Sequence, residues 1–164
     1  MNDETGQNCT RGQLNSNSSV FYLSGGGGGK FERTCTIPAG MGVLIPVLVV
    51  EISDKESPGA SVEDLHAAAK QDQDAANNLY LKVDDQEFDF NELLKYRVHT
   101  DDFEVVFPDN GVFGVVKGGP SKVVADGFYI LTKPLSEGNH TIEFRSSLSS
   151  PSYASEGTYH LNVE

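Results

Sequence analysis

Two acidic residues could carry hydrolytic chemistry, because each lies on an otherwise apolar segment. Asp126 lies within "ADGFYIL" and Glu143 within "HTIEF". A carboxyl pair can hydrolyse a glycosidic bond, but only at a defined separation in space, which sequence spacing does not give. Acids on strands more often point to solvent. The sequence therefore keeps a hydrolase using Asp126 and Glu143 as an alternative, and it assigns no catalytic residue.

Signatures of nucleophilic catalysis are missing from the sequence. Gly-x-Ser-x-Gly, which places a serine nucleophile on a sharp turn, does not occur. Cys35 has only Arg33 close to it in sequence, and no base that would activate its thiol. The sequence therefore favours a non-catalytic protein over an enzyme.

Five consecutive glycines, residues 25–29, precede Lys30 and raise the question of a phosphate-binding loop. The pattern Gly-x-x-x-x-Gly-Lys-Ser/Thr needs a glycine at position 24 and a hydroxyl at 31, where the chain has Ser24 and Phe31. The segment that follows is strand-like, so no helix N-terminus would face a phosphate. The tract is predicted to connect two strands. Close approach of a ligand to its bare backbone is the alternative.

Calcium is an alternative to the main expectation of no cofactor. Acidic and amide side chains crowd one segment, which contains Asp84, Asp85, Glu87, Asp89, Asn91 and Glu92. An EF-hand loop starting at Asp85 would need glycine at position 90 and glutamate at 96, where the chain has Phe90 and Tyr96. Irregular calcium sites have no fixed spacing, and a solvated hairpin with a helix cap is the usual explanation.

The histidines show no spacing typical of zinc ligands. They are His66, His99, His140 and His160, with no His-x-His or His-x-x-x-His among them. His140 and His160 fall on strands predicted to be neighbours, which would allow a pair. The default interpretation is surface or half-buried strand histidines, and no metal site is assigned.

The two cysteines, Cys9 and Cys35, favour a disulfide that ties down the N-terminal residues. Closing a segment of this length stabilises a fold by roughly 3 to 4 kcal/mol in chain-entropy estimates. Two unrelated thiols, one buried on a strand and one in a loop, remain the alternative.

The elements that must position these residues are mainly strands. Short segments rich in β-branched and aromatic residues recur along the chain. A long apolar run over residues 42–52 predicts a central strand covered on both faces, and Pro46 within it demands a bulge or an unpaired position. A surface helix is predicted near residues 61–77 and a helical turn near 90–95, each with a capping-box start. The expected fold is a two-layer antiparallel β-sandwich, jelly-roll or immunoglobulin-like, with one domain over 1–164 and an irregular arm over 1–18.

The negative charge of the chain argues against a nucleic-acid partner. The formal net charge is −12, and residues 51–109 hold 16 of the 24 carboxylates against five Lys and Arg. Such a surface repels phosphate backbones, so we expect no nucleic-acid partner. No apolar run approaches the roughly 20 residues of a membrane span, and the first ten residues do not form a signal peptide.

Four segments resemble a family of small exported microbial β-sandwich domains, many from marine organisms: "ERTCTIPAGMGVLIPV", "KYRVHTDDFEV", "ADGFYILTKPL" and "EGNHTIEF". The family carries a Cys-x-Ile/Val-Pro-Ala-Gly-Lys turn and a closing Pro-Leu-x-x-Gly-x-His-x-Ile-x-Phe strand pair. The resemblance covers roughly residues 6–144, and Met41 replaces the usual lysine of the turn. It implies an all-β sandwich, export, and a bridge between Cys9 and Cys35, but no particular activity.

These observations favour a non-catalytic extracytoplasmic or secreted module, with a binding or structural role. The expected ligand is a polysaccharide or a protein partner. A hydrolase with a carboxylate pair is the alternative function, and a calcium-stabilised acidic face over residues 51–109 is a third.

Overall fold

The chain forms ten strands and two α-helices in the computed structural model, which describes residues 5–13, 15, 17–109 and 117–164. In chain order the elements are β1 (Val20–Tyr22), β2 (Gly29–Ile37), β3 (Gly42–Ser53), α1 (Val62–Asp74), β4 (Ala76–Val83), β5 (Gln86–Phe88), α2 (Phe90–Leu93), β6 (Arg97–His99), β7 (Phe103–Phe107), β8 (Gly119–Leu131), β9 (Gly138–Leu148) and β10 (Tyr153–Val163).

The strands form two five-stranded sheets with a shared hydrophobic core, as predicted for a β-sandwich with minor helices. Sheet I has the order β1-β3-β8-β6, and β7 also pairs with β8; sheet II has the order β2-β10-β9-β4-β5. Both sheets contribute to the core, which includes Phe21, Ile45, Phe128, Phe144 and Tyr159. In β2, β9 and β10 buried and exposed residues alternate, so each strand turns one side of its side chains to the core.

Both sheets are mixed, whereas the sequence predicted antiparallel pairing throughout. β1 pairs with β3 in parallel, and β2 pairs with β10 in parallel. The glycine tract at residues 25–29 explains the difference, because it carries the chain from sheet I into sheet II instead of turning back as a hairpin. β2 consequently finds its partner in the distant strand β10.

The helices follow the predicted capping boxes. Ser61 Oγ accepts a hydrogen bond from the Asp64 N–H at 3.2 Å, and Asp64 Oδ2 accepts one from the Ser61 N–H at 2.9 Å. Asp89 and Glu92 cap α2 in the same way, and a 3₁₀ turn over Leu94–Tyr96 follows it. The first helix ends earlier than predicted, at Asp74, because the residues from Ala76 onward pair with β9.

Strand β3 is an edge strand for most of its length, whereas its apolar run predicted a central strand covered on both faces. β1 pairs with it only as far as Leu44, and no other described strand joins it on that side. Its register on β8 shifts between Pro46 and Leu48, which confirms the irregularity that the proline demanded. One face of β3 is apolar because it packs on sheet II and, further along, on α1 through Ile52.

A disulfide joins Cys9 to Cys35, with Cα atoms 5.6 Å apart, and confirms the predicted bridge. It ties a 3₁₀ helix, Cys9–Gly12, to strand β2. Residues 1–4, 14 and 16 of the predicted N-terminal arm lie outside the described residues. None of the described helices combines the length and the hydropathy that crossing a membrane requires.

Candidate functional site

The structure does not bring Asp126 and Glu143 together. Asp126 lies on β8 of sheet I, is 6% exposed, and accepts two hydrogen bonds from Arg97, from Nε and Nη2, both at 2.8 Å. Glu143 lies on β9 of sheet II, where it is exposed and faces Lys82 across the sheet. The carboxylate pair of the hydrolase alternative is therefore not formed by these two residues.

Arg97 ties three elements together at the Asp126 site. Its Nη1 donates to Asp74 of α1 at 2.5 Å, and its Nη2 donates to the Lys70 carbonyl at 3.2 Å. A cleft of about 500 Å³ opens beside this network, lined also by His66 and His99. Since Nε, Nη1 and Nη2 of Arg97 all donate to protein acceptors, its charge is used to hold α1 against β6 and β8.

His140 and His160 lie on neighbouring strands, as predicted, but they point to opposite faces of sheet II. His140 is directly opposite the buried Leu161 in the β9–β10 ladder, so His160 faces the exposed side. His140 Nδ1 lies 2.7 Å from Asp84 Oδ2, and this hydrogen bond raises the pKa of His140. His160 Nε2 lies 2.6 Å from Glu32.

The acidic side chains Asp84, Asp89 and Glu92 accept backbone hydrogen bonds within the protein. Asp84 has φ of +51° and accepts a hydrogen bond from the Thr141 N–H at 2.9 Å, while Asp89 and Glu92 form the α2 cap. Across residues 5–13, 15, 17–109 and 117–164, no group of three or more His, Cys, Asp or Glu side chains is arranged to hold a metal ion.

A groove runs along the free edge of β3, between this strand and the turn that joins β9 to β10. It consists of two adjoining cavities of about 580 and 310 Å³, which share Gly26, Leu48, Val49, Glu51 and Tyr153. We refer to these two cavities together as the β3 groove.

Five consecutive residues of β3, 48–52, line the larger cavity of the β3 groove. Successive side chains of a strand point to opposite faces, so consecutive residues can all line one cavity only at the edge of the strand. The groove therefore exposes the backbone of β3 as well as its side chains.

The backbone groups of Val49 and Glu51 point into the groove. The Asp54 N–H donates to the Lys122 carbonyl at 3.0 Å, so Asp54 directs its backbone toward β8, and by alternation so do residues 50 and 52. Val49 and Glu51 direct theirs the other way, where no described strand lies. At the far end, the Ser53 N–H donates to Glu56 Oε2 at 3.1 Å and closes the row.

The wall opposite β3 is built from the glycine tract and the β9–β10 turn. Tyr153 Oη donates to the Gly26 carbonyl at 2.9 Å, and Leu148 and Pro151 continue the wall. A Cβ at Gly26 would collide with the Phe31 ring, so this position of the tract needs glycine for packing. The tract is thus a strand connection, as predicted, and it also forms part of a cavity wall.

The β3 groove carries negative charge. Glu51, Glu56 and Asp72 line its larger cavity, and neither cavity is lined by a lysine, arginine or histidine. Burial, followed by repulsion from Glu56, raises the pKa of Glu51 to about 7. A half-buried carboxyl beside a second carboxylate and without a cation is the most perturbed acid of the groove.

Sequence reasoning did not find the β3 groove, although it singled out two of its components, the glycine tract and Pro46. Glu51 was not a predicted site residue, because an acid at the end of an apolar run is typical of the position where a strand becomes exposed to solvent. The missing information is strand order, since an edge is defined by which strands do not pair.

Comparisons with known proteins give no relative for this chain. No family model matches it, and no curated protein matches it. One solved structure, the solution structure of Amebosin, is similar at a TM-score of 0.25 and 10% identity, over 82% of this chain and 96% of that one. A TM-score this low is no basis for comparing the two folds.

Proposed function

We propose that this chain is a non-catalytic, extracytoplasmic binding module, and that its ligand is an extended segment of a protein partner. The segment binds as an added strand along β3. The observation that carries the proposal is the β3 groove, where the backbone groups of Val49 and Glu51 face a cavity and no described strand. Main-chain hydrogen bonds to a free edge supply affinity in this mode of recognition, and the flanking side-chain pockets supply specificity.

One further feature supports a protein ligand rather than a polysaccharide, and another supports the proposed location. The groove has an apolar lining, with Val50 and Ile52 partly exposed over the buried Leu48 and Leu148, and this lining suits alternating apolar side chains better than sugar hydroxyls. The Cys9–Cys35 disulfide supports the extracytoplasmic location, because such bridges persist in oxidising compartments.

A hydrolase is the second candidate function, now with Glu51 and Glu56 as its carboxyl pair. The raised pKa of Glu51, to about 7, suits a general acid. It ranks second because Glu56 Oε2 is engaged by both the N–H and the hydroxyl of Ser53. Loss of glycoside hydrolysis in Glu51→Gln, with binding of the intact glycan retained, would establish it in place of the peptide proposal.

The test of strand addition is peptide selection with two proline variants. Random twelve-residue peptides on phage are selected on the wild-type protein and measured against Val49→Pro, which removes an N–H that faces the groove. We expect micromolar binders that lose at least tenfold in affinity with Val49→Pro. Val106→Pro is the matched control, because Val106 is an exposed residue of β7 on the opposite side of β8 from β3.

Backbone resonances give a second readout that needs no variant. Amide shifts of the wild-type protein on titration with a selected peptide should concentrate at residues 46–53, and the Val49 and Glu51 amides should gain protection from hydrogen exchange. Shifts confined to other surfaces, equal binding by both proline variants, or a failure to select any peptide would each overturn the proposal.

A further inference from the structure

The charges of the β3 groove define the class of segment it takes, on the condition that the proposed strand addition holds. Three carboxylates line the groove and no cationic side chain does. Among the described residues, Glu51, Glu56 and Asp72 form no salt bridge, whereas six pairs between a lysine or arginine and another carboxylate are present. The groove therefore supplies no counter-charge of its own to these three carboxylates.

The alternation of side chains along a strand determines which residue of the bound segment should carry a positive charge. A residue of an added strand that lies opposite Glu51 has its side chain on the same face as the Glu51 carboxyl. The neighbouring residue, opposite Val50, points to the other face, on which Val50 packs in the core. The bound segment should therefore present a cationic side chain on the face of Glu51 and an apolar side chain on the face of Val50.

We propose that the segment bound in the β3 groove is basic, with a lysine or arginine opposite Glu51 and apolar residues on either side of it. Electrostatic attraction also extends beyond the contact. Residues 51–109 carry 16 carboxylates against five Lys and Arg, so their net negative charge attracts a cationic segment to the protein.

The affinity for a basic segment rises with pH, because the cation binds the ionised form of Glu51. The other titratable groups that line the groove beside Glu51 are Glu56 from the turn after β3, Asp72 from α1, Tyr129 from β8 and Tyr153 from β10. Burial, followed by repulsion from Asp126, raises the pKa of Tyr129, and the pKa of Glu51 is raised to about 7, so we attribute the response between pH 5.5 and 8 to Glu51.

The experiment uses three synthetic acetylated seven-residue peptides in which valine and threonine alternate around a central lysine, norleucine or glutamate. Binding to the full chain is measured by calorimetry at pH 5.5 and pH 8. We expect the lysine peptide to bind at least tenfold more tightly than the norleucine peptide at pH 8, and the advantage to fall at pH 5.5. Glu51→Gln should remove the advantage at both pH values while retaining the norleucine peptide.

The outcomes separate the two proposals. If the lysine, norleucine and glutamate peptides bind alike, and Val49→Pro still abolishes binding, the charge proposal fails and strand addition stands. If none of the three binds but phage selection returns peptides without lysine or arginine, the charge proposal fails in the same way. If selection returns no peptide, the proposed function itself fails. Glu137→Gln, an exposed acid outside the groove, is the matched control for Glu51→Gln.

Discussion

At the scale of single residues, Glu51 shows how an ordinary position in the sequence becomes an unusual one in the fold. It follows an apolar run and resembles the first solvated residue after it. In the structure it is half-buried, lies near Glu56, and has no cation beside it among the described residues. Neither burial nor repulsion could be predicted from its neighbours in sequence, because both depend on where β3 lies in sheet I.

The raised pKa of Glu51 makes the stability of the protein depend on pH. Its folded-state pKa of about 7 lies above the ordinary value of 4.5, so the fold favours the neutral acid. The contribution is fully present below pH 4.5 and is lost as pH rises toward 7. We expect Glu51→Gln to be more stable than wild type at pH 8, by on the order of 1 kcal/mol after allowance for solvent screening, and no more stable at pH 4.

Urea unfolding at pH 4 and pH 8 measures this difference directly. Glu137→Gln should leave the free energy of unfolding unchanged at both pH values. If the difference in unfolding free energy between the wild type and Glu51→Gln is the same at pH 4 and pH 8, the carboxyl group of Glu51 is not buried as the structure has it.

At the scale of elements, the contacts that could be predicted are local ones. Ser61 with Asp64, and Asp89 with Glu92, announce their helices because a capping box needs only four consecutive residues. Pairing between strands could not be predicted in this way. In sequence Asp126 is a catalytic candidate because it is an acid on an apolar strand, whereas its partner Arg97 lies 29 residues away.

The Arg97 network should hold α1 and β6 against β8. We expect Asp126→Asn to destabilise the protein by about 2 to 4 kcal/mol, because it weakens a bidentate pair whose carboxylate is 9% exposed. The double variant Arg97→Met with Asp126→Leu should recover part of that loss, since it leaves no unpaired charge in the site. Urea unfolding of the single and double variants measures both effects, and an Asp126→Asn protein as stable as wild type would contradict the structural role.

At the scale of the whole molecule, the sheet content and the two-layer arrangement could be predicted, since alternating apolar residues over many short segments admit few other folds. The mixed pairing could not, because β2 and β10 attach to each other over a separation that no local pattern records. The β3 groove is a product of that topology. The glycine tract that leaves sheet I for sheet II also leaves the edge of β3 without a neighbour.

The Cys9–Cys35 bridge should contribute to the stability of the whole molecule. It closes a segment with a sequence separation of 26, for which chain-entropy estimates give about 3 to 4 kcal/mol. We expect the double variant Cys9→Ala with Cys35→Ala, and the wild type with its bridge reduced, to lose stability by similar amounts. Unfolding with and without a phosphine reductant tests this, and a double variant that still responds to the reductant would contradict the pairing.

The position of β10 inside sheet II bears on how the protein is made. β10 lies between β2 and β9, and Arg33 on β2 contacts Tyr159 on β10 across 126 residues of chain. β10 must therefore leave the ribosome before sheet II can close, and every earlier nascent length lacks the strand that joins β2 to β9. Contacts this distant also slow folding. We therefore expect sheet II to assemble only after β10 has been synthesised.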